Sequence, residues 1–241
     1  TLLSAIYPNK CIGCGEIIKE GKYLCNYCEK HIERNTPENL CLKCGFEKEN
    51  CVCGYNIYRF DALISVFKNE GIAQKAYYRY KFNKIQHYSD FFAKEMSDFV
   101  NLLYGDIKFD FICSVPSGRG LFGNLHYDHC GYIARAMSKI LQIPYADDVL
   151  YCEKRRKRQH KSSIKERLVN VDGKYNFSRN IEGASVLLID DIRTTGATLD
   201  ECSKMLLFAG AQSVYCVTAL ATNFKFKKEN GDVEEVTIKP K

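Results

Sequence analysis

The chain has 241 residues, of which 46% are hydrophobic, and a formal net charge of +6 at pH 7. This length can bury one full core plus a small module, and no apolar run approaches the roughly 20 residues that a membrane-spanning helix needs. Because no secretory pattern is present, we expect a globular protein of the cytoplasm, whose mild basicity suits anionic ligands, whether phosphates or nucleic acid.

Cysteines are concentrated at the start of the chain, where eight of the thirteen lie within the first 53 residues. The odd total and the two-residue spacings argue against a disulfide framework, whereas a C-x-x-C turn directs two thiolates at one tetrahedral metal ion. The spacing predicts structural zinc held by two sets, Cys11, Cys14, Cys25 and Cys28, and Cys41, Cys44, Cys51 and Cys53. Sequential pairing is the simpler arrangement and a cross-braced one is the alternative, with one or two zinc ions.

The cysteines become sparse near residues 54 to 60, which divides the chain into a cysteine-rich domain (1–56), an α/β domain (57–222) and a polar C-terminal extension (223–241). Strand and helix patterns alternate in the middle part, which predicts a mainly parallel sheet with helices on both faces. The clearest predicted elements of this part are a strand at 58–67, a helix with an aromatic stripe at 88–103, a strand at 109–116 and a helix at 133–141. A further strand is predicted at 234–238, within the C-terminal extension.

Two loops of the α/β domain carry candidate binding groups. The strand at 109–116 is followed by Ser117, Gly118 and Arg119, which form either a donor-rich loop for an anion or a solvated connection. Residues 152–161 are dominated by lysine and arginine. They predict a solvated loop, a lid that closes on pyrophosphate, or a track for a nucleic-acid backbone.

The most informative segment follows a buried strand at 186–189. Asp190 and Asp191 come at its carboxyl end, where open α/β sheets place ligands. A short turn follows, formed by Thr194, Thr195, Gly196, Ala197 and Thr198. It offers the groups that bind a phosphate: hydroxyls, backbone N–H groups, a glycine and a helix N-terminus. The carboxylates repel phosphate but accept hydrogen bonds from ribose hydroxyls, with Mg²⁺ nearby. The pattern predicts a site for a sugar 5′-phosphate; the alternative is an ordinary strand, turn and helix with a solvated Asp pair.

This run resembles the phosphoribosyl-pyrophosphate (PRPP) signature of type I phosphoribosyltransferases. The resemblance implies that Asp190 and Asp191 hold the ribose 2′- and 3′-hydroxyls and that residues 194–198 cradle the 5′-phosphate. It also implies that the loop with Ser117 wraps the pyrophosphate, and that Mg²⁺ accompanies PRPP. A nucleoside 5′-monophosphate is the other ligand expected at this turn.

The chain as a whole is similar to the ComF family of competence-associated, phosphoribosyltransferase-like proteins. The order of parts matches: a cysteine-rich ribbon, a Val-Pro-Ser loop, a basic segment with Gln159, Arg167 and Asn170, and then the Asp-Asp motif. One departure is residues 125–129, where the family often carries an Arg-Gly pair. The resemblance implies either an enzyme that transfers a phosphoribosyl group with release of pyrophosphate, or a DNA-uptake factor that binds single-stranded DNA with PRPP as ligand.

Overall fold

The computed structural model describes residues 8–54, 56–83, 85–117, 128–152, 174–222, 224–229 and 232–237. The helices are α1 (Asn26–His31), α2 (Gly71–Asn83), α3 (Ser89–Tyr104), α4 (His129–Leu141) and α5 (Ala197–Phe208). The strands are β1 (Ala62–Lys68), β2 (Phe111–Ser114), β3 (Leu150–Cys152), β4 (Tyr175–Phe177), β5 (Ser185–Arg193), β6 (Ser213–Ala221), β7 (Phe224–Glu229) and β8 (Asp232–Thr237). Within these ranges, every helix is too short or too polar to cross a bilayer.

The central sheet has four strands in the order β1, β6, β5, β2, and each neighbouring pair is parallel. Strand β5 lies inside the sheet, and its residues 186–189 are fully buried. A strand that is covered on both faces is apolar along its length rather than alternating, which explains this run. The predicted parallel sheet is confirmed, although β5 continues through the Asp pair to Arg193.

Helices cover both faces of the sheet, as the sequence predicted. Alternate residues of β5 point to opposite faces. Leu187 and Ile189 pack in a first core with α2, α3 and α4, whereas Val186 and Leu188 pack in a second core with α5. The aromatic stripe at 88–103 belongs to the first core, so it is packing surface, as expected.

The cysteine-rich segment runs along β1, which is the edge strand of the sheet. The N–H of Asn35 donates to the carbonyl of Val66, and the N–H of Leu63 donates to the carbonyl of Leu42, both at 2.8 Å. These bonds satisfy backbone groups that an open edge would leave unpaired.

This segment also contributes side chains to both cores of the α/β domain. Ile12 and Leu24 are buried in the first core, and Phe46 and Val52 are buried in the second. The ribbon therefore packs against both faces of the sheet at the edge formed by β1.

Two antiparallel strand pairs lie outside the central sheet: β3 with β4, and β7 with β8. The strand predicted in the C-terminal extension is β8, which pairs with β7. The strand predicted from residue 58 begins only at Ala62. Helix α2 carried no sequence prediction, although its buried residues Ala73, Ala76, Tyr77 and Tyr80 have helical spacing.

Candidate functional site

The eight N-terminal cysteines form two compact clusters, and the pairing is sequential. Each set of four thiol sulfurs lies within 4.8 Å of one another, one set formed by Cys11, Cys14, Cys25 and Cys28, the other by Cys41, Cys44, Cys51 and Cys53. A tetrahedral Zn²⁺ with Zn–S bonds of about 2.3 Å places its sulfurs about 3.8 Å apart. The Sγ atoms of Cys14 and Cys25 are 3.8 Å apart, and those of Cys41 and Cys53 are 3.7 Å apart. Both clusters fit one structural zinc ion each.

The first half of each cluster is built by the same backbone turn. The Gly15 N–H donates to the Cys11 carbonyl, and the Gly45 N–H donates to the Cys41 carbonyl, each at 2.8 Å. Both glycines have positive φ angles, +88° and +69°, which a residue with a side chain rarely adopts. The glycines that follow Cys14 and Cys44 therefore close turns that direct two thiolates at one metal.

Asp190 and Asp191 lie near the carboxyl end of β5, but they do not face open solvent. Asp190 is only 8% exposed, and the side chain of Asp191 is 15% exposed. A solvated Asp pair, the alternative considered from the sequence, is therefore wrong. The reason is tertiary: α2 and the start of α4 supply side chains that cover this end of the strand.

Three side chains converge on the outer oxygen of Asp191. Its Oδ2 accepts from Lys81 Nζ at 2.6 Å and Tyr77 Oη at 3.1 Å, and it lies 2.9 Å from His129 Nε2. Its Oδ1 accepts from the N–H of Ile192 at 2.7 Å. Burial alone would raise the pKa of Asp191, but the bonds from His129 and Lys81 outweigh it and hold that pKa well below its ordinary value.

Asp190 has the opposite electrostatic character. Burial, and secondly the charge of Asp191, raise the pKa of Asp190 to about 8. Its Oδ1 accepts from the N–H of Asp191 at 2.9 Å and lies 3.9 Å from Cys130 Sγ. These surroundings favour the proton on Asp190 and the negative charge on Asp191.

The contacts of Asp190 and Asp191 also determine whether this pair could bind the expected Mg²⁺. Both oxygens of Asp191 already accept hydrogen bonds, and a lysine ammonium lies against one of them. A protonated carboxyl such as that of Asp190 is a poor ligand for a divalent cation. The Asp pair therefore does not fit direct coordination of Mg²⁺.

The turn after β5 places two exposed threonines before a buried glycine. Thr194 and Thr195 are exposed, and Gly196 has φ = +87° as the N-cap of α5, a position that brings no capping side chain. The Thr195 hydroxyl accepts from the Ala197 N–H at 3.3 Å. Among the described residues, the N–H groups of Thr195 and Gly196 have no hydrogen-bond partner. Free N–H groups at a helix N-terminus form an anion site.

The other predicted loop residues are described only in part. Ser117 is half-buried and lies three residues after the end of β2, the neighbour of β5 in the sheet. Gly118 and Arg119 lie outside the described residues, as does the basic segment within 153–173.

The sequence assigned no role to five residues of the site. They are the three that contact Asp191 (Tyr77, Lys81 and His129) and two that hold the turn (Tyr58 and Arg193). Tyr77 and Lys81 are four residues apart and so lie on one helical face, and this spacing was the only local pattern that could have linked any of the five residues to one site. Tyr58 and His129 reach the site from segments distant in sequence, and Arg193, although adjacent to the turn, contacts the distant Gly45. Spacing along the chain cannot show such contacts.

Comparisons with known proteins agree with this architecture. Residues 2–55 match the double zinc ribbon domain, and residues 128–239 match the phosphoribosyl transferase domain. Competence protein ComFC of Streptococcus pneumoniae is 24% identical over 231 residues, which cover 85% of this chain and 96% of that protein.

Among solved structures, glutamine PRPP amidotransferase from B. subtilis is 20% identical with a TM-score of 0.38. The match covers 54% of this chain but only 25% of the amidotransferase. Adenine phosphoribosyltransferase from Thermoanaerobacter pseudethanolicus is 12% identical with a TM-score of 0.37, over 58% of this chain and 83% of that one.

Proposed function

Because this chain belongs to the ComF family of phosphoribosyltransferase-like proteins, we propose that it binds PRPP at the carboxyl end of β5 and transfers the phosphoribosyl group to a nucleophilic acceptor. In this reaction the bond between ribose C1 and the pyrophosphate oxygen breaks, and pyrophosphate leaves. A nucleoside 5′-monophosphate would occupy the same subsites for sugar and 5′-phosphate. Mg²⁺ would enter with PRPP on its phosphate oxygens, which are common ligands of this ion.

The observation that carries this proposal is the turn at 194–198. It combines two exposed threonines, N–H groups at Thr195 and Gly196 that have no partner within the described part of the chain, and the positive end of the α5 dipole. These groups recognise an anion, and the carboxylate of Asp191 lies three residues before the turn. A phosphate and a hydroxyl-bearing sugar joined to it match both features.

The ribose side of the proposal requires an exchange of partners at Asp191. A ribose hydroxyl would replace Lys81 as a donor to Oδ2, since that oxygen already has three neighbours that can donate. The Lys81 side chain is 30% exposed and ends a flexible four-carbon stem. The displaced ammonium would then pair with the pyrophosphate and stabilise its charge as it leaves.

We also consider a second candidate, a DNA-uptake factor for which PRPP is a ligand rather than a substrate. It is favoured by the name of the similar protein from Streptococcus pneumoniae, a competence protein. Binding of single-stranded oligonucleotides that weakens steeply with salt, without pyrophosphate release from PRPP, would support it. For either function we expect the cytoplasm, where reducing conditions keep the zinc-binding thiolates available.

Two glycines provide a matched test of the phosphate turn. Gly196 (φ = +87°) lies in the turn, where an added Cβ would meet the Tyr58 ring at 3.4 Å, whereas Gly183 (φ = +75°) lies in open space. Both glycine-to-valine variants strain the backbone, but only Gly196→Val alters the proposed site. Calorimetry with PRPP and Mg²⁺ should show at least tenfold weaker binding to folded Gly196→Val and nearly unchanged binding to Gly183→Val. Equal affinity in both variants would place the ligand elsewhere.

A further inference from the structure

Arg193 links the phosphate turn to the second cysteine cluster. It is the last residue of β5, and although it carries a charge it is only 1% exposed. One guanidinium nitrogen donates to the Gly45 carbonyl at 3.0 Å, and the guanidinium stacks on the Phe46 ring with its carbon 3.7 Å from the centroid. Gly45 and Phe46 directly follow the zinc-binding residue Cys44. The side chain of Arg193 therefore ends in the metal-binding turn of the second cluster.

The other end of this link is the backbone of the turn. The second guanidinium nitrogen of Arg193 donates to the Thr194 carbonyl at 3.2 Å, and the Tyr58 hydroxyl donates to the Thr195 carbonyl at 3.0 Å. In a trans peptide the carbonyl oxygen and the next N–H point in opposite directions. Holding these two carbonyls on the side of the second cluster turns the N–H groups of Thr195 and Gly196 away from that cluster.

The position of the Gly45 carbonyl depends in turn on the metal-binding turn. The Gly45 N–H donates to the Cys41 carbonyl, and a Cβ on Gly45 would lie 2.8 Å from Leu63 Cγ, so the backbone packs tightly against β1. A zinc ion that holds Cys41 and Cys44 at tetrahedral spacing keeps this turn in shape. Metal geometry, Gly45, Arg193 and the phosphate turn thus form one continuous set of contacts.

We propose that Arg193 and Tyr58 are positioning residues through which the second cysteine cluster sets the phosphate-binding shape of the turn at 194–198. It follows that zinc at the second cluster and phosphate at the turn bind cooperatively, each strengthening the other by the same factor. The first cluster has no such contact with the turn among the described residues. This inference rests on the proposed binding of PRPP.

The test measures both directions of this linkage in the zinc-loaded protein. PRPP affinity is measured by calorimetry, and zinc loss is followed with a coloured chelator, with and without saturating PRPP. In the wild type, PRPP should slow the loss of one of the two zinc ions at least threefold and leave the other unchanged. Cys14→Ser should retain the protected ion, whereas Cys53→Ser should lose it, which assigns the effect to the second cluster.

Variants of Arg193 separate positioning from charge. Arg193→Lys keeps a cation but loses the planar fork that reaches two carbonyls at once, so PRPP affinity should fall at least fivefold and zinc protection should vanish. Arg193→Gln should lose at least tenfold in affinity. The control is Arg179→Gln, which removes an exposed arginine paired with Asp148 and should match the wild type in both measurements.

The outcomes distinguish this linkage from the proposed function. Wild-type affinity and zinc protection in Arg193→Lys would overturn the positioning role. PRPP binding that protects both zinc ions, or neither, would overturn the linkage while leaving the proposed function intact. Absence of PRPP binding to the wild type would overturn both. The zinc measurement on the wild type needs no variant, so a folding defect in Arg193→Gln does not prevent a decision.

Discussion

The two cysteine clusters share the same turn geometry but support different halves of the proposed site. The first cluster packs on the face of the sheet that carries α2, and the second packs on the face that carries α5. Arg79 of α2 donates to the Ile12 carbonyl in the first cluster at 3.1 Å, as Arg193 does to Gly45 in the second. The first cluster thereby holds the helix that presents Lys81 to Asp191, and the second holds the phosphate turn. A four-cysteine module of similar geometry therefore supports each side of the proposed site.

A second contact between the ribbon and helix α2 lies at the first turn of that helix. The carboxylate of Glu33, which follows α1, accepts from the N–H groups of Ile72 and Ala73 at 2.9 and 3.0 Å. A carboxylate at a helix N-terminus satisfies free donors and complements the helix dipole. Helix α2 is therefore held by the ribbon at its first turn through Glu33 and near its last through Arg79. The orientation of Lys81 and Tyr77 follows from both contacts.

Removal of zinc should produce the largest effect, and it should not be confined to the ribbon. The two clusters share both cores with the sheet, and structural zinc in small peptides contributes about 10–16 kcal/mol, comparable to the whole stability of a domain. A strong chelator under denaturant-free conditions should remove both zinc ions and unfold the ribbon and the central sheet in one transition, followed by circular dichroism and zinc content. A sheet signal that survives the loss of both zinc ions would show that the clusters are accessory.

The two arginines that contact the clusters provide the next comparison. Arg193→Met removes a buried guanidinium and leaves the carbonyls of Gly45 and Thr222 without their donor, which should cost about 3 kcal/mol. Arg79→Met removes a partly exposed group with a similar carbonyl partner and should cost about 1 kcal/mol. Urea unfolding of both variants checks the order. Equal losses would mean that the two clusters are attached to the sheet domain with similar strength.

Asp190 and Asp191 should respond to pH in opposite directions. The pKa of Asp191 is held below its ordinary value, so its stabilising contribution is present above about pH 4 and is lost as the pH falls further. The pKa of Asp190 is raised to about 8, so its contribution is largest below about pH 4 and is lost as the pH rises through 8. Asn cannot ionise, so Asp190→Asn should gain stability relative to the wild type between pH 5 and pH 8.

Urea unfolding at several pH values measures this difference, with Asp191→Asn as the matched variant. Asp191→Asn removes the carboxylate that pairs with Lys81 and His129, and it should be less stable than the wild type by about 1–3 kcal/mol at pH 7. A parallel pH dependence in Asp190→Asn and the wild type would contradict the assignment of the proton to Asp190.

The smallest expected effect belongs to Tyr58→Phe. This change removes the hydroxyl that donates to the Thr195 carbonyl but keeps the ring, which stacks on Phe60 at 4.8 Å between centroids. One neutral hydrogen bond contributes about 1 kcal/mol, so stability and PRPP affinity should each fall only modestly. Calorimetry and thermal unfolding test it, with Tyr27→Phe, an exposed tyrosine of α1, as the control. A loss as large as that of Arg193→Gln would make Tyr58 the principal support of the turn.

The sequence determined those parts of this protein that depend on neighbouring residues. Cysteine spacing predicted both clusters, because a C-x-x-C turn points two thiolates at one metal and a second close pair of cysteines completes each set, the pair Cys51 and Cys53 having one intervening residue. The apolar run at 186–189 predicted an interior parallel strand, and the turn that follows it predicted an uncapped helix N-terminus. Each of these features is formed within about 20 residues, where chain geometry alone limits the outcome.

Only the tertiary structure decided what surrounds the Asp pair and what holds the turn. Lys81 and His129 come 110 and 62 residues before Asp191, and Gly45 comes 148 residues before Arg193. From the sequence, a solvated pair of carboxylates was one alternative for Asp190 and Asp191, and Arg193 had no assigned environment. The packing of α2 and the ribbon against the sheet buries these side chains, and burial raises the pKa of Asp190 whereas contacts with His129 and Lys81 lower that of Asp191. That difference arises from desolvation and long-range contacts, which no local pattern in the chain encodes.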